Sequence, residues 1–181
     1  DDLVLTPPQN LTYDVTHKNA TVSSDKIGVG EVTVKYYDKD GNEVEPVNAG
    51  EYTVKITVGE GVNYGAASEL TADLWKFTIT RASHDNKTAS GSAMYGNRGT
   101  VDLSNLIEVG GKATLGTVTD SDSVLKGDQT INNKALSFEF ADDASKVGKT
   151  ATVVVKVTNA TNYDDYIITV TLTVENKLTP M

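Results

Sequence analysis

Apolar and polar residues alternate with period two along several runs of the chain. In the run from Gly50 to Val58, Tyr52, Val54, Ile56 and Val58 fall on one side and Glu51, Thr53, Lys55 and Thr57 on the other. Such alternation is the signature of a strand with one face buried and one face wet. Val32, Val34 and Tyr36 alternate with Thr33, Lys35 and Tyr37 in an earlier strand. Asp38-Lys-Asp-Gly-Asn42 follows, and Asp40-Gly41 predicts a tight hairpin turn, because such turns need positive φ. A returning strand is expected near residues 43–47, at an edge or ending there because of Pro46. Trp75, Phe77 and Ile79 alternate with Lys76, Thr78 and Thr80, which places the single tryptophan in the core.

The second half repeats the pattern. Leu136, Phe138 and Phe140 share one face. Ala151, Val153, Val155 and Val157 share another, and Tyr166, Ile168, Val170, Leu172 and Val174 a third. Val101, Leu103 and Ile107 lie in residues 99–109, Gly110-Gly111 breaks the chain, and residues 113–118 predict a short strand. The halves are self-similar: a long alternating strand, then Asn63-Tyr64 or Asn162-Tyr163, then a final strand. That period suits one sandwich domain per half. The boundary is expected within residues 81–85, giving modules at 1–82 and 83–175. Leu178-Thr179-Pro180 repeats Leu5-Thr6-Pro7, so 176–181 reads as a linker toward a further module. The chain opens on Asp1-Asp2 and carries no leader pattern, which reads as a piece of a longer product.

Composition strengthens the all-β reading. The 181 residues include 24 Thr and 22 Val, β-branched residues that favour pleated surfaces over helices. Without cysteine there is no disulfide framework, no thiol nucleophile and no Cys-ligated metal. The net charge of −9 argues against nucleic acid as a partner, which needs a basic footprint. Residues 1–82 carry 7 basic and 13 acidic groups, and residues 83–181 carry 9 and 12, so neither half is a polybasic arm. No apolar run reaches the roughly 20 residues of a membrane-spanning helix, so this segment is not expected to insert into a membrane.

Residues 48–56 resemble the tyrosine-bearing start of strand F in immunoglobulin-like domains, where the tyrosine lies two residues before a disulfide cysteine. Tyr52 keeps that spacing and Val54 takes the cysteine's place. Leu11-Thr-Tyr-Asp14, Asn48-Ala-Gly-Glu-Tyr52, Asn63-Tyr64 and Phe77-Thr-Ile-Thr-Arg-Ala82 together resemble bacterial immunoglobulin-like surface repeats of the MBG/YDG type. Two positions depart from that pattern. Val15 stands where the repeats carry glycine, and Thr150 stands where the second module would match Tyr52. The resemblance implies two tandem immunoglobulin-like antiparallel β-sandwich domains in a secreted or cell-surface bacterial protein, adhesin-like in role. It also implies a monomeric segment of a longer chain, with a host or cell-surface protein or a glycan as partner.

Candidate chemistry is sparse. Asp38, Asp40, Asn42 and Glu43 resemble the opening of a calcium loop, but Gly41 falls at position four and Ala49 at position twelve, where an EF-hand needs glycine at six and a bidentate acid at twelve. A hairpin turn is the expected role. Asp120, Asp122, Asp142 and Asp143 are expected as loop carboxylates. His17 and His84 lie in no nucleophile motif and are expected on the surface or in loops. Tyr37, Tyr64, Tyr95 and Tyr163 are the aromatics expected at the surface, where they could stack on sugar rings. Tyr64 and Tyr163 suit a structural role at the turn before each last strand. No spacing singles out a Lys–Asn–acid trio for an isopeptide crosslink. No catalytic residue, cofactor or metal ligand is expected, and no ligand-binding residue is singled out. The function expected is a non-enzymatic spacer or adhesive segment, with a carbohydrate-binding accessory module beside an extracellular enzyme as the alternative.

Overall fold

The computed structural model describes residues 2–177. Residues 178–181 of the expected linker, with the Leu178-Thr179-Pro180 echo, lie outside the described residues. The chain divides into two compact units, Asp1–Ala82 and Ser83–Met181, and both are built from strands.

The first unit has six strands: β1 (Val4–Thr6), β2 (Thr21–Ser23), β3 (Val32–Tyr37), β4 (Gly50–Val58), β5 (Ala67–Leu70) and β6 (Lys76–Ile79). β1 and β2 pair antiparallel. β4 is the centre of the other sheet, with β3 along one edge and β5 and β6 in succession along the other. β5 covers the end of β4 at Ile56 and Val58, and β6 covers its start from Gly50 to Thr53. The last strand is thus split, with residues 71–75 looping out between its halves. The alternation in β4 buries Tyr52, Val54, Ile56 and Val58 as expected. Phe77 joins them, with its ring stacked on Tyr52 at 5.5 Å and edge-on to Tyr36 at 5.9 Å. The Tyr52 hydroxyl donates to the Asn48 carbonyl at 2.7 Å, the bond that a tyrosine makes at this corner of immunoglobulin-like domains.

Three expectations change here. The strand foreseen at residues 43–47 shrinks to one bridge between Tyr37 and Glu43. Pro46 has no N–H to give a ladder, and its carbonyl instead accepts Lys18 N–H at 2.9 Å. The hairpin turn is longer than a two-residue one. Gly41 alone takes positive φ, at 83°, closing an Asp38-to-Gly41 turn with a glycine bulge. Trp75 is half-buried against the core rather than sealed within it, because it stands at the mouth of the 71–75 loop, one residue before β6 begins.

The second unit has seven strands: β7 (Lys87–Met94), β8 (Arg98–Asp102), β9 (Lys112–Thr119), β10 (Thr130–Asn132), β11 (Ala135–Glu139), β12 (Thr150–Thr158) and β13 (Tyr166–Glu175). They form a three-stranded sheet β10-β11-β8 and a four-stranded sheet β7-β13-β12-β9. This is the strand order of an immunoglobulin-like sandwich whose first strand has joined the sheet of the last. β7 and β13 run parallel over eight registered pairs, from Lys87 with Ile168 to Met94 with Glu175. Every other strand pair is antiparallel. β7 closes the outer edge of β13, which would otherwise present a row of unpaired backbone groups. Among the described residues, sixteen buried side chains form this core against eight in the first unit.

A buried valine contributes roughly 1.5–3 kcal/mol, and a buried unpaired charge costs more than that. Val54→Asp is therefore expected to unfold the first unit and Val155→Asp the second, each leaving the other's amide NMR spectrum in place. A thermal unfolding profile that barely moves would show that the assigned strand facing is wrong.

Candidate functional site

The residues that could carry chemistry fall into separate places. In the 38–43 turn, the Asp38 carboxylate accepts the backbone N–H groups of Asp40 and Asn42, each at 2.9 Å, and the Asn42 side-chain amide. These bonds, those from Asn42 foremost, hold the Asp38 carboxyl below its usual range. Asp40 pairs with Lys39 at 3.0 Å and Glu43 with Lys35 at 3.1 Å. The cluster is a turn stitched by its own donors. Among the described residues, no group of three or more His, Cys, Asp or Glu side chains could hold a metal ion.

The loop carboxylates of the second unit are used in the same way. Asp120 accepts Val124 and Leu125 N–H at 2.8 and 2.9 Å. Asp143 accepts the backbone N–H and hydroxyl of Ser145, which lowers its pKa and caps a 3₁₀ turn. Asp122 faces Lys149, and its carbonyl accepts Lys146 Nζ at 2.6 Å. Asp142 pairs with Lys177 at 3.1 Å.

The two histidines differ. His17 is exposed and meets Glu45 at 3.1 Å. His84 lies in the loop ahead of β7, one of the two placements foreseen for it, with its side chain only 7 % exposed. Its ring stacks on Tyr166 at 3.9 Å and meets Tyr163 edge-on at 4.8 Å. Nε2 lies 3.1 Å from the Glu108 carboxylate and Nδ1 lies 2.7 Å from the Asp85 carbonyl. The Tyr166 hydroxyl donates to Leu106 O and accepts Glu108 N–H. In this unit a tyrosine of β13 thus takes the tethering part that Tyr52 plays in the first. Apart from the neighbouring Asp85 carbonyl, the partners that build the clamp lie 24 to 82 positions away, so local sequence gave no signal for it.

The aromatics also separate. Tyr95 packs on the second core, with Lys177 over its ring at 4.3 Å. Tyr163 packs on His84, while Tyr64 is 41 % exposed, so the matching positions differ in role. Tyr37 ends β3 with Lys55 at 4.5 Å over its ring. Beside Lys55, an open hollow of about 340 Å³ is lined by Thr53, Thr71, Asp73, Trp75 and Lys76.

The buried lysine is Lys18, 4 % exposed. Its Nζ donates to Asp14 at 2.6 Å. Asp14 also accepts Asn10 Nδ2 and the backbone N–H and hydroxyl of Thr16. The bond from Lys18, then those from Thr16, lower the Asp14 pKa from about 3.8 to about 2. Such a carboxylate stays ionised, and the pair is a salt bridge that organises the loop. Next to it, Val15 takes φ of 63°. A β-branched residue is strained in that left-handed region.

No family model matches this chain, and no curated protein matches it. Among solved structures, the chain is similar to an I-band fragment from titin, at 12% identity over 94% of this chain and 63% of that one, with a TM-score of 0.35. It is also similar to an endo-fucoidan hydrolase from glycoside hydrolase family 107, at 11% identity over 98% of this chain and 24% of that one, with a TM-score of 0.29. The chain thus spans less than two thirds of either. The fold assignment rests on the strand order and pairing described above.

Two predictions concern the Asp14 loop. A carboxyl with a lowered folded pKa adds stability above its unfolded pKa, and that stability is lost as pH falls through the folded value. The first unit is thus expected to weaken between about pH 4 and pH 2 as Asp14 protonates. Asp14→Asn is expected to flatten that limb in acid-unfolding curves. Val15→Gly is expected to relieve roughly 1 kcal/mol of left-handed strain and raise the melting temperature of the first unit by a few degrees. A lower melting temperature would show that the freedom glycine adds to the unfolded chain outweighs the strain relieved at position 15.

Proposed function

We propose that this chain is a non-enzymatic, load-carrying and adhesive segment of a secreted or cell-surface bacterial protein, in which immunoglobulin-like repeats of the MBG/YDG type act as spacers and binding modules. The observation that carries the spacer reading is the pairing of the terminal strands. β7 opens the second unit and β13 closes it, and their eight parallel pairs meet tension along the chain in shear, all together. In the first unit the parallel link between the two ends is a single bridge, Thr12 to Thr80. It consists of Tyr13 N–H to Thr80 O at 2.9 Å and Thr80 N–H to Leu11 O at 2.7 Å. The use of Asp38, Asp120, Asp143 and His84 as internal ties supports a structural role for them over a chemical one.

A second reading, a carbohydrate-binding accessory module, is favoured by Trp75. It is half-exposed at a hollow that also offers Lys55, Asp73 and Lys76, and aromatic faces beside polar groups suit sugar rings. Binding on a glycan array that is lost in Trp75→Ala would select this reading.

The spacer reading is tested by stretching single molecules of the chain from its ends. Two unfolding steps are expected. The first unit yields at lower force and releases about 23 nm, and the second yields at higher force and releases about 30 nm, at roughly 3.4 Å per residue. Extension without resolved steps, or the longer step coming first, would remove the mechanical argument.

A further inference from the structure

Two loops of the first unit form a built tip. One joins β2 to β3 over residues 24–31, and the other joins β4 to β5 over residues 59–66. Their backbones touch. Asn63 N–H donates to Gly28 O at 3.1 Å, Asn63 Nδ2 to Ile27 O at 2.8 Å, and Gly59 N–H to Glu31 O at 2.7 Å. The contact is so close that only glycine fits at two positions. A Cβ on Gly30 would stand 2.0 Å from Gly59 O, and one on Gly61 would stand 2.2 Å from Gly28 O. The second loop closes on itself through Gly61 N–H to Tyr64 O at 2.9 Å.

This clasp holds two large aliphatic side chains out in water. Ile27 is 85 % exposed and Val62 is 93 % exposed, with Tyr64 at 41 % two residues after Val62 in the second loop. Apolar side chains on a fixed backbone lose little freedom on binding, which is what makes a contact residue effective. The surround is acidic. Asp25, Glu31 and Glu60 are exposed, and the local cation, Lys26, is drawn toward Asp2 and Asp25 at 3.7 and 3.8 Å. An acidic rim repels a second identical tip and an anionic membrane alike, and it attracts a basic partner.

We propose that the Ile27–Val62 tip is a docking point for a partner protein through a segment that combines apolar and basic side chains. This deepens the binding-module reading and rests on it. The spacer reading stands on separate strands and is tested separately by force.

The test uses the full chain as bait for a random peptide library displayed on phage. Peptides rich in Lys or Arg beside Leu, Ile, Phe or Trp are expected. Synthetic copies should bind the Ile27→Ser/Val62→Ser variant about tenfold more weakly, and should weaken against Glu60→Lys and with added salt. Both serines replace exposed side chains, so the melting temperature should match the parent chain. If the double variant melts early, the Glu60→Lys comparison decides. Peptides that bind parent and variants equally, or acidic peptides, overturn the proposal. So does a dimer in sedimentation that the double variant abolishes, which would make a second copy the occupant. Binding to phosphatidylcholine–phosphatidylglycerol vesicles that depends on Ile27 and Val62 overturns it as well.

Discussion

Everything in this molecule depends on apolar packing between facing strands, because there is no covalent staple. Val54 stands where many immunoglobulin-like domains place half a disulfide, and it is 1 % exposed. In the second unit Val153, Val155 and Val157 of β12 and Ile168, Val170 and Leu172 of β13, all at 0 % exposure, form one wall of the core, and Val101, Leu136 and Phe138 of the other sheet belong to the same core. Each face is useful only in one register, since a slip by one residue would turn every valine outward. Strict alternation is thus both the recognition signal and the source of stability.

Polar groups are fitted around that constraint as ties. Tyr52 and Tyr166 each bury a ring and anchor a hydroxyl on a loop carbonyl. Tyr36 does the converse, accepting the Ala20 N–H at 2.8 Å. Asp14, Asp38, Asp120 and Asp143 collect backbone donors at turns. These four accept N–H groups of their own turns, which satisfies backbone donors that no strand ladder covers.

The sequence was legible where packing is periodic. β4, β11, β12 and β13 fall where alternation puts them, and Phe138, Phe140 and Val155 are buried as their pattern requires. It was illegible where the strand is made of small residues or broken. β7 reads Lys87-Thr-Ala-Ser-Gly-Ser-Ala-Met94, with little β propensity. It is a strand because β13 offers an edge, a fact found 81 residues away. β5 is four residues long and separated from β6 by a loop, so no window of alternation spans both. The His84 clamp and the half-exposure of Trp75 depend on tertiary neighbours for the same reason.

The two units divide one architecture unequally. The second has the larger core and the long parallel pairing of its ends. The first has a two-stranded sheet facing a sheet whose last strand is split, and it carries Ile27, Val62 and Leu74, the three most exposed large hydrophobics among the described residues. A thinner core leaves less backbone locked in ladders and more in loops, and loops are where a sandwich can present side chains. The glycines make that presentation rigid. Gly28-Val-Gly30 and Gly59-Glu-Gly61 are the same spacing in two loops, and each supplies the missing Cβ that lets the other approach. Backbone contact between the two loops fixes the positions from which Ile27 and Val62 project, and both side chains are left exposed there.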